Sequence, residues 1–253
     1  MYSLYKKHLY VNPNYDYIKC ASIREYDIKA AGYNILIAAK LLSDEQIVYF
    51  ENIPKERRNV EIGLLQRDDK ELTKAINDGL IHYRKLFFEE NEIDENNVIS
   101  IRRDAIFVTN TRIKKKQFDN IRFVAKNRYS SYYQINKCDF LYSKLNDSLD
   151  IKGIDDDFLK YHENYLLKFM KKLFSLNEVS NQAACKYLYD FCDKYRRRKL
   201  DIDYYRELDK GIYRLKKLKI NGCNIGVEDA FVDEINIKYN YMNYIVPLMG
   251  MIY

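Results

Sequence analysis

The sequence predicts an α+β fold: strands mixed with helices over residues 1–154, then a helical part over 155–253. Three observations predict it. Apolar runs of strand length recur between residues 22 and 152, separated by turn residues. One long amphipathic stretch, "RDDKELTKAINDGLIHYRKLFFEE", interrupts them with helical spacing. Beyond residue 155 the strand pattern gives way to three successive helical patterns.

Taken in order, residues 22–27 read as a strand. Residues 30–42 read as a helix with Tyr33, Ile37 and Leu41 along one face. The long helix opens at Asp68 and Asp69, which are capping residues, and places Leu72, Ile76, Tyr83 and Leu86 on roughly one side. "VISIRRDAIFVTN" reads as strand, tight turn and strand. "FDNIRFVAKNRYSSYYQI" continues with alternation, and "CDFLYSKLNDSLDIKGID" is a hairpin turning at Asn146 and Asp147. The helical stretches then run through "DDDFLKYHENYLLKFMKKLFSL", "NEVSNQAACKYLYDFCDKYRRRK" and "DIDYYRELDKGIYRLKKLK"; "EINIKYNYMNYIV" fits strand or helix.

Composition bounds the function. At 47% apolar and 32% charged residues the chain can bury a core, which excludes a disordered protein. Five scattered cysteines form no CxxC, which argues against a disulfide framework or zinc site and for a reducing compartment. The N-terminal stretch lacks the apolar centre of a signal peptide. "YIVPLMGMIY" is too short to span a bilayer and reads as a buried segment. The expected location is therefore cytoplasmic (the host cytoplasm, if the protein is viral), without membrane association. His8, His82 and His162 are far apart and suggest no metal constellation.

Two aspartates stand out. Asp27 ends the first apolar strand, and Asp104 sits in the later hairpin turn. Each is by itself an ordinary turn former or helix cap. If both strands join one sheet, the carboxylates converge at its edge. A convergent pair can hold two Mg²⁺ ions about 4 Å apart, which activate an attacking hydroxyl and stabilise a leaving pyrophosphate.

With these residues in order, the chain resembles the palm and thumb of a right-hand DNA polymerase, closest to family B, in a reduced or split form. "EYDIKAAGYNIL" resembles motif A, a strand ending in Asp followed by a helix. "RRDAIFV" resembles the motif C hairpin, with Asp104 at the second aspartate and Arg102 in place of the first. "KNRYSSYY" is similar to the Lys–Tyr motif through Lys126, Arg128 and Tyr129, and "LDIKGID" to the KG segment through Lys152 and Gly153.

The resemblance implies a palm-like domain (1–154) with abbreviated fingers at about 43–90, and a thumb-like domain (155–253). It implies a template-directed nucleotidyltransferase using Mg²⁺ at Asp27 and Asp104, acting on nucleoside triphosphates and a primer–template. Lys126 and Tyr129 would hold the primer end. Gly32 and Tyr33 fall where the family selects the sugar, and "KERRNVEIGLLQ" offers Lys55, Arg57, Arg58 and Gly63 for the triphosphate. With little room for fingers and none for a proofreading domain, a partner polymerase or replication subunit is expected. Arg102 favours the alternative, a catalytically inactive palm-like subunit that binds nucleic acid in a replication or transcription complex. An α+β nucleic-acid binder without polymerase ancestry is a further reading.

Charge points independently to nucleic acid. Residues 110–130 carry Arg112, Lys114, Lys115, Lys116, Arg122, Lys126 and Arg128 against Asp119, and Tyr129, Tyr132 and Tyr133 follow. "KYRRRK", with Arg196, Arg197 and Arg198, and "RLKKLK" (214–219) are further basic clusters on expected helices; a solvated helix face accounts for them equally well. The acidic run "EENEIDE" reads as a solvated helix end.

Overall fold

The computed structural model describes residues 3–19, 21–135, 138–153, 163–197, 199–200, 218–220 and 223–225. In chain order the strands are β1 (Leu9–Val11), β2 (Tyr17–Ile18), β3 (Ile23–Ile28), β4 (Val98–Arg102), β5 (Ala105–Thr109) and β6 (Gln117–Phe118). They continue as β7 (Ile121–Tyr129), β8 (Ser131–Ile135), β9 (Cys138–Ser143), β10 (Ser148–Lys152), β11 (Leu218–Ile220) and β12 (Cys223–Ile225). The helices are α1 (Ala31–Ala38), α2 (Asp44–Asn52), α3 (Lys55–Asp68), α4 (Lys70–Glu90), α5 (Glu163–Val179) and α6 (Asn181–Arg196). The fold is mixed α+β with antiparallel sheet pairing, as the sequence predicts.

The chain divides into two units. One comprises Met1–Asn12 with Ser22–Arg128, the other Pro13–Ala21 with Tyr129–Tyr253. The division expected from sequence, at 154/155, differs because long-range pairing assigns the strands. β2 pairs with β8, in the register Tyr17 to Tyr133, and draws the N-terminal loop into the second unit with β8–β10.

In the first unit the strand order is β1-β4-β5-β3-β7-β6. β3 therefore lies directly beside the β4–β5 hairpin, in the antiparallel register Asp27 to Ala105. β3 is buried at every position except Arg24, as a strand covered on both faces must be. The helices pack through small residues. Gly32 on α1 faces Ile62 of α3 and Ile76 of α4, and Gly79 on α4 lies so close to Ile35 that a Cβ there would collide with it.

Asp69 caps α4 by accepting from Glu71 N (2.7 Å), as its place before the apolar stripe predicts. Two further helices, α2 and α3, occupy the region expected to hold abbreviated fingers. α2 carries a readable signal, the Ser43–Gln46 capping box. α3 carries almost none, because it buries only Ile62 and is charged nearly all round. Leu41 corrects the reading of α1. The helix stops at Ala38, Lys40 turns the chain with φ 56°, and Leu41 is left exposed.

In the second unit β10-β9-β8-β2 form one antiparallel sheet, and the β9–β10 turn falls at Asn146 and Asp147 as expected. Its core sets Tyr133 edge-on to Phe174 of α5. Asn177, also on α5, donates to the Tyr17 and Tyr133 hydroxyls. The end of "RLKKLK" corrects another expectation, since Leu218–Ile220 is a strand paired with Cys223–Ile225. The intervening Asn-Gly is the sequence signal for that hairpin. The stretch 201–217, the possible last helix and "YIVPLMGMIY" lie outside the described residues.

Candidate active site

Asp27 and Asp104 meet at one end of the first unit's sheet. Asp27 is opposite Ala105, so the turn residue before Ala105 falls next to it. Ile28 N donates to the Asp104 carbonyl at 3.4 Å, which ties the end of β3 to the turn. The hairpin has two turn residues, Arg103 and Asp104. Arg103 takes φ 54°, the positive value that tight hairpins need at a central residue, and its N–H donates to the His8 carbonyl. A second non-glycine residue at positive φ, Ala30 (46°), sits between Asp27 and α1.

The two carboxylates lie close enough for one charge to disfavour the other. Burial and the neighbouring Asp27 carboxylate push Asp104 up to about 6, while Lys126 pulls the other way. Lys126 pairs with Asp27 Oδ2. Burial works against the charge of Lys126, but Asp27, Glu25 and Asp104 outweigh it, so its pKa is raised. Asp27 is only 8% exposed, and its other oxygen, Oδ1, is buried without a hydrogen-bond partner. An unsatisfied buried carboxylate oxygen is costly and suits a cation.

These groups open into a cavity of about 310 Å³. Beside Asp27, Asp104 and Lys126 it is lined by the loop into α1, including Gly32 and Tyr33, and by one face of α3: Lys55, Asn59, Ile62 and Gln66. The spacing of those four residues is the helical stripe of neighbouring turns. Lys55 was legible from sequence. Asn59 and Gln66 were not, because the face of α3 that meets the cavity is fixed only by packing around Ile62.

Tyr33 is 6% exposed, directs its hydroxyl toward the Ile47 carbonyl (3.4 Å) and packs edge-on against Phe50. Arg58 lies over its ring at 4.9 Å. Arg57 is not part of the cavity; it joins an exposed network with Glu61 and the Tyr49 hydroxyl.

A buried arginine was missed altogether. Arg84 is fully buried on α4, donates to Leu80 O at 3.1 Å and to the Lys7 carbonyl, and sits 3.0 Å from His8 Nδ1. A guanidinium only donates, so His8 Nδ1 is the acceptor. Burial lowers Arg84 to about 10, Asp104 opposing, which leaves it charged at neutral pH. No pattern in the sequence marks it, because it occupies a position in the apolar stripe of α4.

Several expected nucleic-acid contacts lie elsewhere. Tyr129, Tyr132 and Tyr133 are core residues with exposures of 1%, 0% and 0%; they are not an exposed stacking surface. Tyr129 directs its hydroxyl to Asp150, and Tyr132 donates to Asp139. Tyr132 and Tyr133 are neighbours on β8 and point to opposite faces of the second sheet, so both faces are covered there. Lys114 and Lys115 pair with Glu92 and Glu90 at 3.0 Å each, so the acidic run is not merely solvated. Asn91 sets that arrangement by accepting from the Lys114 and Lys115 amides. Lys116 lies 5.9 Å over Tyr26.

Arg128 is exposed and Lys152 half-buried. Gly153 has φ 84°, a backbone requirement that by itself explains a glycine. Arg196 is exposed and Arg197 pairs with Asp193; Arg198 lies outside the described residues.

Among known protein families, the family of the Bacteriophage PBS1 gene 130 protein matches residues 1–252. The chain belongs to that family. It is therefore a phage-type protein, and no curated protein matches it. No helix among the described residues of this family member is long and apolar enough to cross a membrane. No cluster of three or more His, Cys, Asp or Glu side chains suited to a metal occurs among the described residues.

Proposed function

We propose that this phage protein is a template-directed nucleotidyltransferase of the DNA polymerase type. One observation carries the reading: two adjacent carboxylates, from a strand end and the neighbouring hairpin turn, border a cavity that also holds Lys55, Asn59 and Lys126. The donor set fits Mg²⁺. Both groups offer hard oxygen ligands, and Asp27 Oδ1 has no partner in the protein. Bound at Asp27 and Asp104, Mg²⁺ would stabilise charge on the transferring phosphoryl group.

The chain's own residues do the rest. Lys55 and Asn59, one turn apart, face the same space and hold triphosphate oxygens. Gly32 presents no side chain to a sugar, and Tyr33 walls the cavity beside it. A 3′-hydroxyl oxygen bonds to the α-phosphorus as the bond to the bridging oxygen breaks; the hydroxyl proton passes to water and pyrophosphate leaves. Lys126 releases Asp27 when a cation takes its place. The primer–template is the partner this reading requires, and a second replication subunit is expected to raise an activity that the chain has weakly alone.

A second reading draws on the Lys126–Asp27 ion pair and on Arg102. A lysine that permanently neutralises Asp27 would leave an inactive palm-like subunit that binds nucleic acid. Primer extension with Mg²⁺ and all four nucleoside triphosphates separates the two. Incorporation that is lost in Asp27→Asn supports the enzyme. Binding of primer–template without incorporation supports the inactive subunit.

A further inference from the structure

A second cavity, of about 440 Å³, shares Ala30 and Tyr33 with the first. Its charged lining is Lys29, Arg58 and Arg122 against a single carboxylate, Glu51. Elsewhere in this unit many exposed cations are paired: Arg57 with Glu61, Arg67 with Asp68, Lys114 with Glu92, Lys115 with Glu90. Among the described residues, Lys29, Arg58 and Arg122 form no ion pair.

Their placement is built by the fold. Lys29 N donates to the Arg122 carbonyl at 2.9 Å, which sets those two residues side by side. The Asn34 side chain donates to the Lys29 carbonyl at 2.6 Å and holds the loop. Arg58 is held over the Tyr33 ring and against the Phe50 carbonyl (3.4 Å), while its buried Nε has no partner. A buried guanidinium N–H without an acceptor is a cost that an anion removes.

We propose that this second cavity binds a polyphosphate anion: inorganic pyrophosphate, or the terminal phosphates of a nucleoside triphosphate. Three cations around one small concavity match the dense charge of a polyphosphate better than the single charge of each strand phosphodiester. The anion's source rests on the proposed nucleotidyl transfer, which releases pyrophosphate from the adjoining cavity. Binding itself does not depend on that reading.

The test is calorimetric titration of the full chain with inorganic pyrophosphate, without Mg²⁺ and at low salt. Binding is expected, and Arg122→Gln and Lys29→Gln, both at exposed positions, should each weaken it by about tenfold. Lys114→Gln, outside the cavity, should leave it unchanged. No binding by the wild type, or equal binding by Arg122→Gln, overturns the proposal. So does loss of binding in Lys55→Gln alone, which would put the anion in the carboxylate cavity. Arg122-dependent binding of an unphosphorylated oligothymidylate, with none of pyrophosphate, would make this a strand site instead. Pyrophosphate binding without primer extension sinks the polymerase reading alone; the reverse result sinks this proposal alone.

Discussion

Replacing Asp104 with Asn should make the metal-free protein more stable at neutral pH. Burial and the Asp27 charge carry the Asp104 carboxyl from an ordinary 3.8 to about 6, which corresponds to roughly 3 kcal/mol of penalty on its ionised form. Asn keeps the shape, removes the charge and supplies an N–H for the unpartnered Asp27 Oδ1. Because relaxation around Asp104 offsets part of that penalty, the expected gain is about 1–3 kcal/mol. The sign follows from the raised pKa. The penalty is absent below pH 3.8, where the carboxyl is protonated in folded and unfolded chains alike, and complete above about pH 6. Wild-type stability therefore falls as pH rises through that window, and the variant's does not. Urea midpoints read by far-UV circular dichroism, a probe that needs no tryptophan, measure this at both ends of the window. A variant less stable at neutral pH, or a difference that is the same at both ends, refutes the coupling. Excess Mg²⁺ should raise the wild-type midpoint and leave the variant's in place.

Asp27→Asn should abolish primer extension without unfolding the chain; full incorporation would remove the carboxylate pair from the chemistry. Replacing Lys114, Lys115 and Lys116 together with Ser should change the salt slope of DNA binding by less than about one, because two of the three are held by Glu90 and Glu92. A drop of about three would show that they leave those partners for phosphates. Gly79→Ala should cost about 1–3 kcal/mol in denaturation midpoint, since its Cβ meets Ile35 of α1; an unchanged midpoint would mean that α1 moves aside freely. Tyr129→Phe should cost about 1–3 kcal/mol by stripping the hydroxyl from Asp150 while leaving nucleotide incorporation intact. Lost incorporation in a stable variant would restore Tyr129 to the site.

Local chemistry made much of the chain legible. Asp69 before an apolar stripe specifies where α4 begins, Asn146 and Asp147 specify the β9–β10 hairpin, and alternation marks β7 and β8. The sequence alone therefore determined the α+β class and put Asp27 and Asp104 at a strand end and a hairpin turn. It also determined that Tyr129, Tyr132 and Tyr133 lie in strands, but not that all three are buried, because whether a sheet is covered on both faces depends on what packs against it. Only the tertiary structure decided that β3 pairs beside β5 and so sets the two carboxylates together. It also decided that α3 turns Lys55 and Asn59 inward, that Glu90 and Glu92 hold the lysine run, and that Lys29, Arg58 and Arg122 surround one space. The reason is physical: caps, turns and periodicity act over a few residues, whereas strand order and helix facing are set by contacts between residues tens of positions apart.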